Sequence, residues 1–329
     1  MIHPTKRDAD VDQLAKDIAK LDAAQEAVQP LTAIGAWGTA VHCFEPKQAN
    51  ALIAALAANR PLLVRGEPGV GKSQLARAAA AVLGRRFVPA VVQPDSEYAD
   101  LLWSVDHTRR LADAQLAAHT GKTDRLDKME NYVGPGPLWW AFAWQDAQDQ
   151  YDRCPHNYCP PADDTAPNPI ETGVVLLIDE IDKADISLAN GLLEVLGNGA
   201  FAVPLLDKTV VPVGRPPLVM ITSNDIRELP PALVRRCVVL ELNLPEALHS
   251  YMVRIGAAHF RDLDKGVLAE AAGQILEDRE ACRELPKTGL AEYLDLLRAL
   301  NGAAADKAGQ LKWLKRLGGY FCKSHAVPR

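Results

Sequence analysis

The sequence predicts an α/β fold: a parallel five-stranded sheet covered by helices on both faces, followed by an all-helical domain. Three observations carry this. Five short apolar runs, at 61–65, 87–93, 173–179, 217–224 and 237–243, lack the alternation of half-exposed strands, as strands buried on both faces do. Helical segments separate them, the order that yields parallel strands. After Pro245 the strand pattern stops and only helical periodicity continues.

In chain order, Val11, Leu14, Ile18 and Leu21 recur at three- and four-residue spacing, predicting an amphipathic helix over 8–28 that packs on the body or on a neighbour. A loop follows around 35–46. A second helix spans 47–60 and stops at Asn59-Arg60-Pro61. The strand at 61–65 leads into an Ala-rich helix, 71–84, that closes on Gly84. Between the second and third strands the chain is far longer than one crossover helix requires, and its Pro- and Asp-rich part, 152–173, reads as a surface loop. Four helical segments, 245–260, 263–277, 289–301 and 308–321, complete the chain. The expected division is an N-terminal helical arm, 1–45, an α/β core, 46–244, and a helical lid, 245–329.

The chain has 329 residues, 48% hydrophobic and 24% charged, with a net charge of −6, enough for one large or two modest cores. That acidity argues against nucleic-acid binding by bulk electrostatics. No apolar stretch approaches the ~20 residues of a membrane span, and the first residues lack a secretory core, so the cytoplasm is the expected compartment. Six scattered cysteines favour reduced thiols.

"GEPGVGKS", residues 66–73, fits GxxxxGK[ST] between a predicted strand and a predicted helix. Gly66, Gly69 and Gly71 let the backbone curl until the N–H groups of Glu67, Pro68's neighbours, Val70, Lys72, Ser73 and Gln74 surround a phosphate at a helix N-terminus. Lys72 would reach the β- and γ-phosphates and Ser73 would bind Mg2+. "VVLLIDE", 174–180, ends an apolar strand in two carboxylates at the crevice where open α/β sheets bind ligands. Asp179 would hold the metal from its outer sphere, and Glu180 would orient and polarise a water. Asn224 leaves the fourth strand at the same edge, placed to hydrogen-bond a γ-phosphate oxygen and that water. Arg235 and Arg236 stand directly before the fifth strand, with no nearby anion in the sequence to receive them.

These motifs, with "LLIDEIDKAD", "ITSNDIRELPPALVRRC" and "YVGPGPLWWAF", resemble the MoxR branch of the AAA+ ATPases from about Phe44 to the end of the chain. The resemblance implies a ring, usually a hexamer, with ATP and Mg2+ between subunits. Arg236 would then be a finger inserted into the adjoining site, with Arg235 assisting or contacting the interface. It also implies an insertion in the second helix, around Trp103, His107, Arg109 and Arg110, and a hairpin around Leu206–Lys208, both directed at the pore or face of the ring. MoxR relatives remodel or activate a protein client, often with a von Willebrand A domain partner. The lid departs from the pattern: Lys287 is the nearest cation to the usual phosphate-sensing arginine, and Arg283 the next. A nucleotide-gated scaffold with little turnover is the alternative reading, and a nucleic-acid motor a third. Cys154, His156 and Cys159 lack the second ligand pair of a structural zinc site. The basic C-terminal segment with Leu311, Trp313, Leu314 and Leu317 reads as a final lid helix packing on its domain.

Overall fold

The computed structural model describes residues 6–25, 27–121, 126–163, 168–282 and 287–323. The chain begins with α1 (Lys6–Ala24), a hairpin of β1 (Val28–Leu31) and β2 (Ala40–Cys43), and α2 (Pro46–Ala58). β3 (Leu62–Arg65), α3 (Lys72–Leu83) and β4 (Arg86–Val91) open the core. The middle segment holds α4 (Tyr98–Leu102), β5 (Trp103–Val105), α5 (His107–Thr120), β6 (Val133–Pro135), α6 (Pro137–Phe142), α7 (Trp144–Arg153) and α8 (Pro169–Thr172). β7 (Val174–Asp179), α9 (Ile186–Asn198), the hairpin β8 (Phe201–Val203) and β9 (Lys208–Val210), β10 (Leu218–Ser223), α10 (Pro231–Arg236) and β11 (Val238–Glu241) follow. The described chain closes with α11 (Leu248–His259), α12 (Lys265–Ala281), α13 (Leu290–Ala303) and α14 (Lys307–Phe321).

The five predicted strands form one parallel sheet in the order β11-β3-β10-β7-β4. Successive residues supply opposite cores. Leu62 and Val64 of β3 join Val175, Leu177 and Met220 against Leu75 and Ala79 of α3. Leu63 joins Leu176, Ile178 and Ile221 against Trp139, Trp140, Leu188 and Leu192. With both faces covered in the central strands β3, β10 and β7, alternation has no physical cause there, whereas the edge strand β11 is only partly covered and exposes Val239 and Glu241. A third cluster, including Met252, Leu268, Ile275, Tyr293 and Leu297, holds α11–α14 together. Leu311 and Trp313 of α14 pack on it, as the expected final helix of that region.

Helix α1 lies on the body of its own chain. Asp17, fully buried, pairs with Arg85 at 3.0 Å and with Arg215, and Lys20 donates to the Leu83 carbonyl at 3.0 Å. The helix ends at Ala24, short of the expected 28, because Val28 begins β1.

Two expectations need correction. The loop expected over 35–46 contains β2, paired antiparallel with β1; Pro30 and two four-residue strands hide the pattern. The segment 152–173 is not simply a surface loop. Cys154 is fully buried, the Tyr158 hydroxyl donates to the Pro89 carbonyl at 2.8 Å, and Trp140 Nε1 donates to the Tyr158 carbonyl at 3.2 Å. These bonds tie it to β4 and α6. The middle segment, longer than one crossover helix requires, carries β5 and β6 paired antiparallel on either side of α5. Gly134 is required there, since a Cβ would lie 2.2 Å from the His156 carbonyl oxygen.

His42 on β2 is buried beside Gln48, with Nε2 and Oε1 3.0 Å apart, and its ring meets Phe44 edge-on at 4.7 Å. Burial pushes its pKa down to about 4 from the ordinary 6.5, with the Gln48 bond opposing and His259 adding to the fall. Between those values the unfolded chain binds a proton that the fold refuses. The penalty is absent above pH 6.5 and grows as pH falls, reaching about 3 kcal/mol near the folded value. A His42→Asn variant should therefore lose less stability than the wild type between pH 7 and 4.5 in urea titrations; equal losses would refute this.

Candidate functional site

The loop after β3 enters α3 over the carboxyl edge of the sheet, where β7 and β10 also end. Gly66 has φ +148°, and a Cβ there would stand 2.3 Å from the Leu242 carbonyl oxygen, so only glycine lets the loop pass the end of β11. Gly69 (φ +80°) and Gly71 (φ +93°) complete the curl. Glu67, Pro68 and Gly69 are exposed on it, and Val70 tucks against the apolar core below.

Lys72, almost fully buried, sends its ammonium group back across the loop. It donates to the Gly66 carbonyl at 2.7 Å, the Glu67 carbonyl at 2.9 Å and Asn224 Oδ1 at 2.6 Å. Burial lowers its pKa, while Asp182, Asp179, Glu180 and Asp225 pull it back up. Ser73 Oγ donates to Asp179, 2.7 Å from Oδ1 and 2.9 Å from Oδ2. Gln74 spends its side chain elsewhere, donating to the Val41 carbonyl at 2.6 Å and so tying α3 to β2.

Glu180 follows β7 in a left-handed conformation, φ +59°, that non-glycine residues adopt at a cost of ~1 kcal/mol or more. Its Oε1 accepts from Asn224 Nδ2 at 3.1 Å, and its other oxygen pairs with Lys183. Asn224 thus joins the phosphate-loop lysine to the acid after β7. The site brings Lys72, Ser73, Asp179, Glu180 and Asn224 together as the motifs predict.

Two residues that sequence reasoning missed position this set. Thr222 Oγ1 donates to Asp179 Oδ1 at 2.6 Å and accepts from the Glu180 N–H at 2.8 Å, locking both acids at once. Buried Asp182 accepts from the backbone N–H groups of Asn224 at 3.0 Å and Ile226 at 2.9 Å, setting the turn that presents Asn224. Asp182 reads in sequence only as a helix-start charge; its partners lie more than 40 residues away.

Arg235 and Arg236 are exposed in the last turn of α10. Arg236 Nη1 donates to the Leu193 carbonyl of α9 at 2.5 Å, and Arg235 has no hydrogen bond or ion pair among the described residues. Neither bonds to the phosphate loop of its own chain. Lys287 is exposed without such a partner among the described residues, and Arg283 lies outside them. Among the described residues, Arg279 of α12, in the C-terminal helical region, meets the phosphate loop, with Nη2 2.6 Å from Glu67 Oε2. Trp103 Nε1 donates to the Ala202 carbonyl of the β8–β9 hairpin at 3.1 Å, joining the middle segment to it. Cys154 lies beside Arg109, and Cys159 beside Tyr151. No helix among the described residues is long and apolar enough to cross a membrane.

The family model described as AAA domain (dynein-related subfamily) matches residues 61–237, which hold Lys72, Ser73, Asp179, Glu180, Asn224, Arg235 and Arg236. Among solved structures, a point mutant of RuvB from Thermotoga maritima is 15% identical with a TM-score of 0.47, over 86% of this chain and 71% of that one. The Thermotoga maritima RuvB Holliday junction branch migration motor is 15% identical with a TM-score of 0.45, over 82% and 67%. A protein named as a candidate ATPase from Cytophaga hutchinsonii is 14% identical with a TM-score of 0.41, over 96% and 86%. No curated protein matches the chain.

Proposed function

The chain belongs to the AAA domain family, dynein-related subfamily, and from that premise we propose that it hydrolyses ATP with Mg2+ in a ring of identical subunits, as MoxR-like AAA+ proteins do, to remodel or activate a protein client. The observation that carries this is the unbroken set Lys72–Asn224–Glu180 beside Ser73–Asp179, closed by direct hydrogen bonds. A Gly-rich turn with a chance lysine would not place an acid, an amide and an ammonium group in one network.

The loop N–H groups from Gly66 to Gln74 hold the phosphates, with Lys72 neutralising them. The carboxylates around Lys72 oppose the loss of its charge on burial. The Ser73 hydroxyl and the Asp179 carboxylate are hard oxygen donors 2.7 Å apart, the ligand type that Mg2+ takes. When bound, Mg2+ neutralises charge on the phosphate oxygens. Glu180 orients the attacking water and takes its proton, and Asn224 holds that carboxylate in place. Arg236 completes the site from the next subunit, with Arg235 at the same interface, and Lys287 is a further lid cation within the composite site. In this reading residues 1–45 are an arm, 46–244 the nucleotide-binding core and 245–329 the lid whose closure moves the ring. The client is a protein, engaged through the exposed insertion around α5 or through a von Willebrand A domain adaptor, and the work is done in the cytoplasm.

Turnover per chain should rise with chain concentration through the assembly range, in step with the mass measured with and without ATP. A rate per chain that is flat across that range overturns the ring. Binding and assembly without turnover would identify the chain as a nucleotide-gated scaffold.

A further inference from the structure

We propose that the cavity between α1 and the amino end of the sheet binds a small carboxylic acid with an apolar body, whose charge answers the unbalanced guanidinium groups of Arg85 and Arg215. This site is separate from the phosphate loop and does not depend on the ATPase reading.

The cavity has a volume of about 310 Å3, within the ~300–1,000 Å3 range of small-ligand pockets. Pro61, just before β3, and Leu218, at the start of β10, line it and place it at the amino end of the sheet. The phosphate loop leaves the opposite end. Gln13, Leu14 and Asp17 cover the cavity from α1, at a spacing that puts them on one helix face. Leu56, Phe142 and Leu196 make much of the remaining wall apolar.

The charges on this wall do not balance. Among the described lining residues, Asp17 is the one carboxylate, set against Arg60, Arg85 and Arg215. Arg85, at 3.0 Å, and Arg215 both donate to the same oxygen, Asp17 Oδ2. Their other arms go to main-chain carbonyls, Arg85 to Pro216 at 3.1 Å and Arg215 to Thr172 at 3.2 Å. Carbonyls fix the two forks in place but carry no net charge. The side chains of Asp17 and Arg85 are 0% and 3% exposed, and that of Arg215 is 14% exposed. One guanidinium would neutralise Asp17. The second leaves a positive charge uncompensated away from water, where such a charge is costly. Burial, with Arg215 adding to it, pushes the Arg85 pKa down to about 10 against the pull of Asp17. Asp17 Oδ1 and Arg85 Nε are also buried without a hydrogen-bond partner among the described residues.

One added negative charge balances the buried group, and an apolar wall favours a body that gains by leaving water. A monocarboxylate meets both conditions. Inorganic phosphate brings more charge than the imbalance and no apolar surface.

The test is calorimetry on the full chain at pH 7 with butyrate, hexanoate, benzoate and phenylacetate, beside their neutral amides and inorganic phosphate. At least one acid should bind once per chain with a Kd of ~1 mM or tighter, about tenfold better than its amide and better than phosphate. Arg215→Met should weaken it about tenfold or more. Leu14→Trp, a change on a half-exposed face of α1, should fill the cavity and abolish binding. The bound acid should also slow hydrogen exchange of the α1 amides. No binding by any of the acids overturns the proposal, as do amides that bind equally well, undiminished affinity in folded Leu14→Trp, or protection at the phosphate loop in place of α1. A chain that binds an acid with these signatures but no nucleotide overturns the proposed function and leaves this inference standing.

Discussion

Replacing Arg236 with alanine should lower ATP turnover by about 10³-fold or more while nucleotide binding and assembly persist. The structure shows why the loss would fall on turnover. Arg236 is exposed, and among the described residues its hydrogen bond runs to the Leu193 carbonyl in α9, away from its own phosphate loop. A Cβ on Gly197 would come within 2.7 Å of Nη1, so the guanidinium lies along the C-terminal turns of α9, where helix carbonyls favour a cation. From there it can be lent to an adjoining site without disturbing Lys72, Ser73 or Asp179. Arg235→Ala, one position earlier and without a bond to α9, should cost far less. Arg236→Lys should recover little, since an ammonium group cannot reproduce the planar fork. Steady-state turnover above the assembly concentration, with native mass on the same samples, checks all three. A wild-type rate for Arg236→Ala would end the composite-site model.

How much of this was legible in the sequence depended on the range of the interaction. The sheet strands were legible because burial on two faces leaves a continuous apolar run, as at Val174–Asp179. The phosphate loop was legible because positive φ at Gly69 and Gly71 demands glycine at fixed spacing. The helices after Pro245 were legible because one-sided burial imposes a period. Legibility failed where an element is too short to show a pattern. β5 and β6 have three residues each, and Pro30 interrupts β1. It failed again where a residue acts on something distant. Thr222 looks like any strand threonine, yet it grips Asp179 and the Glu180 N–H together. Asp182 and Arg279 carry no local signal, because their partners are 42 and 212 residues away.

Those distant contacts share a geometry. Asp179, Glu180 and Asn224 leave adjacent strands, and each is fixed by a residue on the other strand: Thr222 on β10 holds the acids after β7, and Asp182 after β7 holds the turn after β10. Side chains from both strands therefore brace the β7–β10 edge as one unit. Among the described residues, Lys72 bonds to that unit through Asn224, at 2.6 Å. A ligand that engages Lys72 thereby acts on Asn224 and, through it, on the Glu180 carboxylate.

Glu180→Gln should retain ATP binding and lower turnover by about 10²- to 10⁴-fold. Glutamine keeps an oxygen for the Asn224 amide, so the Lys72–Asn224 connection survives while the group that takes the proton from water is lost. The stronger test mixes this variant with Arg236→Ala, each nearly inactive alone. Where an Arg236→Ala chain supplies the phosphate loop and Glu180, and its neighbour in the ring is a Glu180→Gln chain, that neighbour brings an intact Arg236. In a head-to-tail ring assembled at random from equal amounts, about a quarter of the interfaces meet this condition. Turnover in the mixture should therefore climb to an appreciable fraction of wild type, while either variant alone stays near background. A mixture no faster than the sum of its parts, in samples whose native mass shows co-assembly, would mean that each chain cleaves ATP with its own residues only.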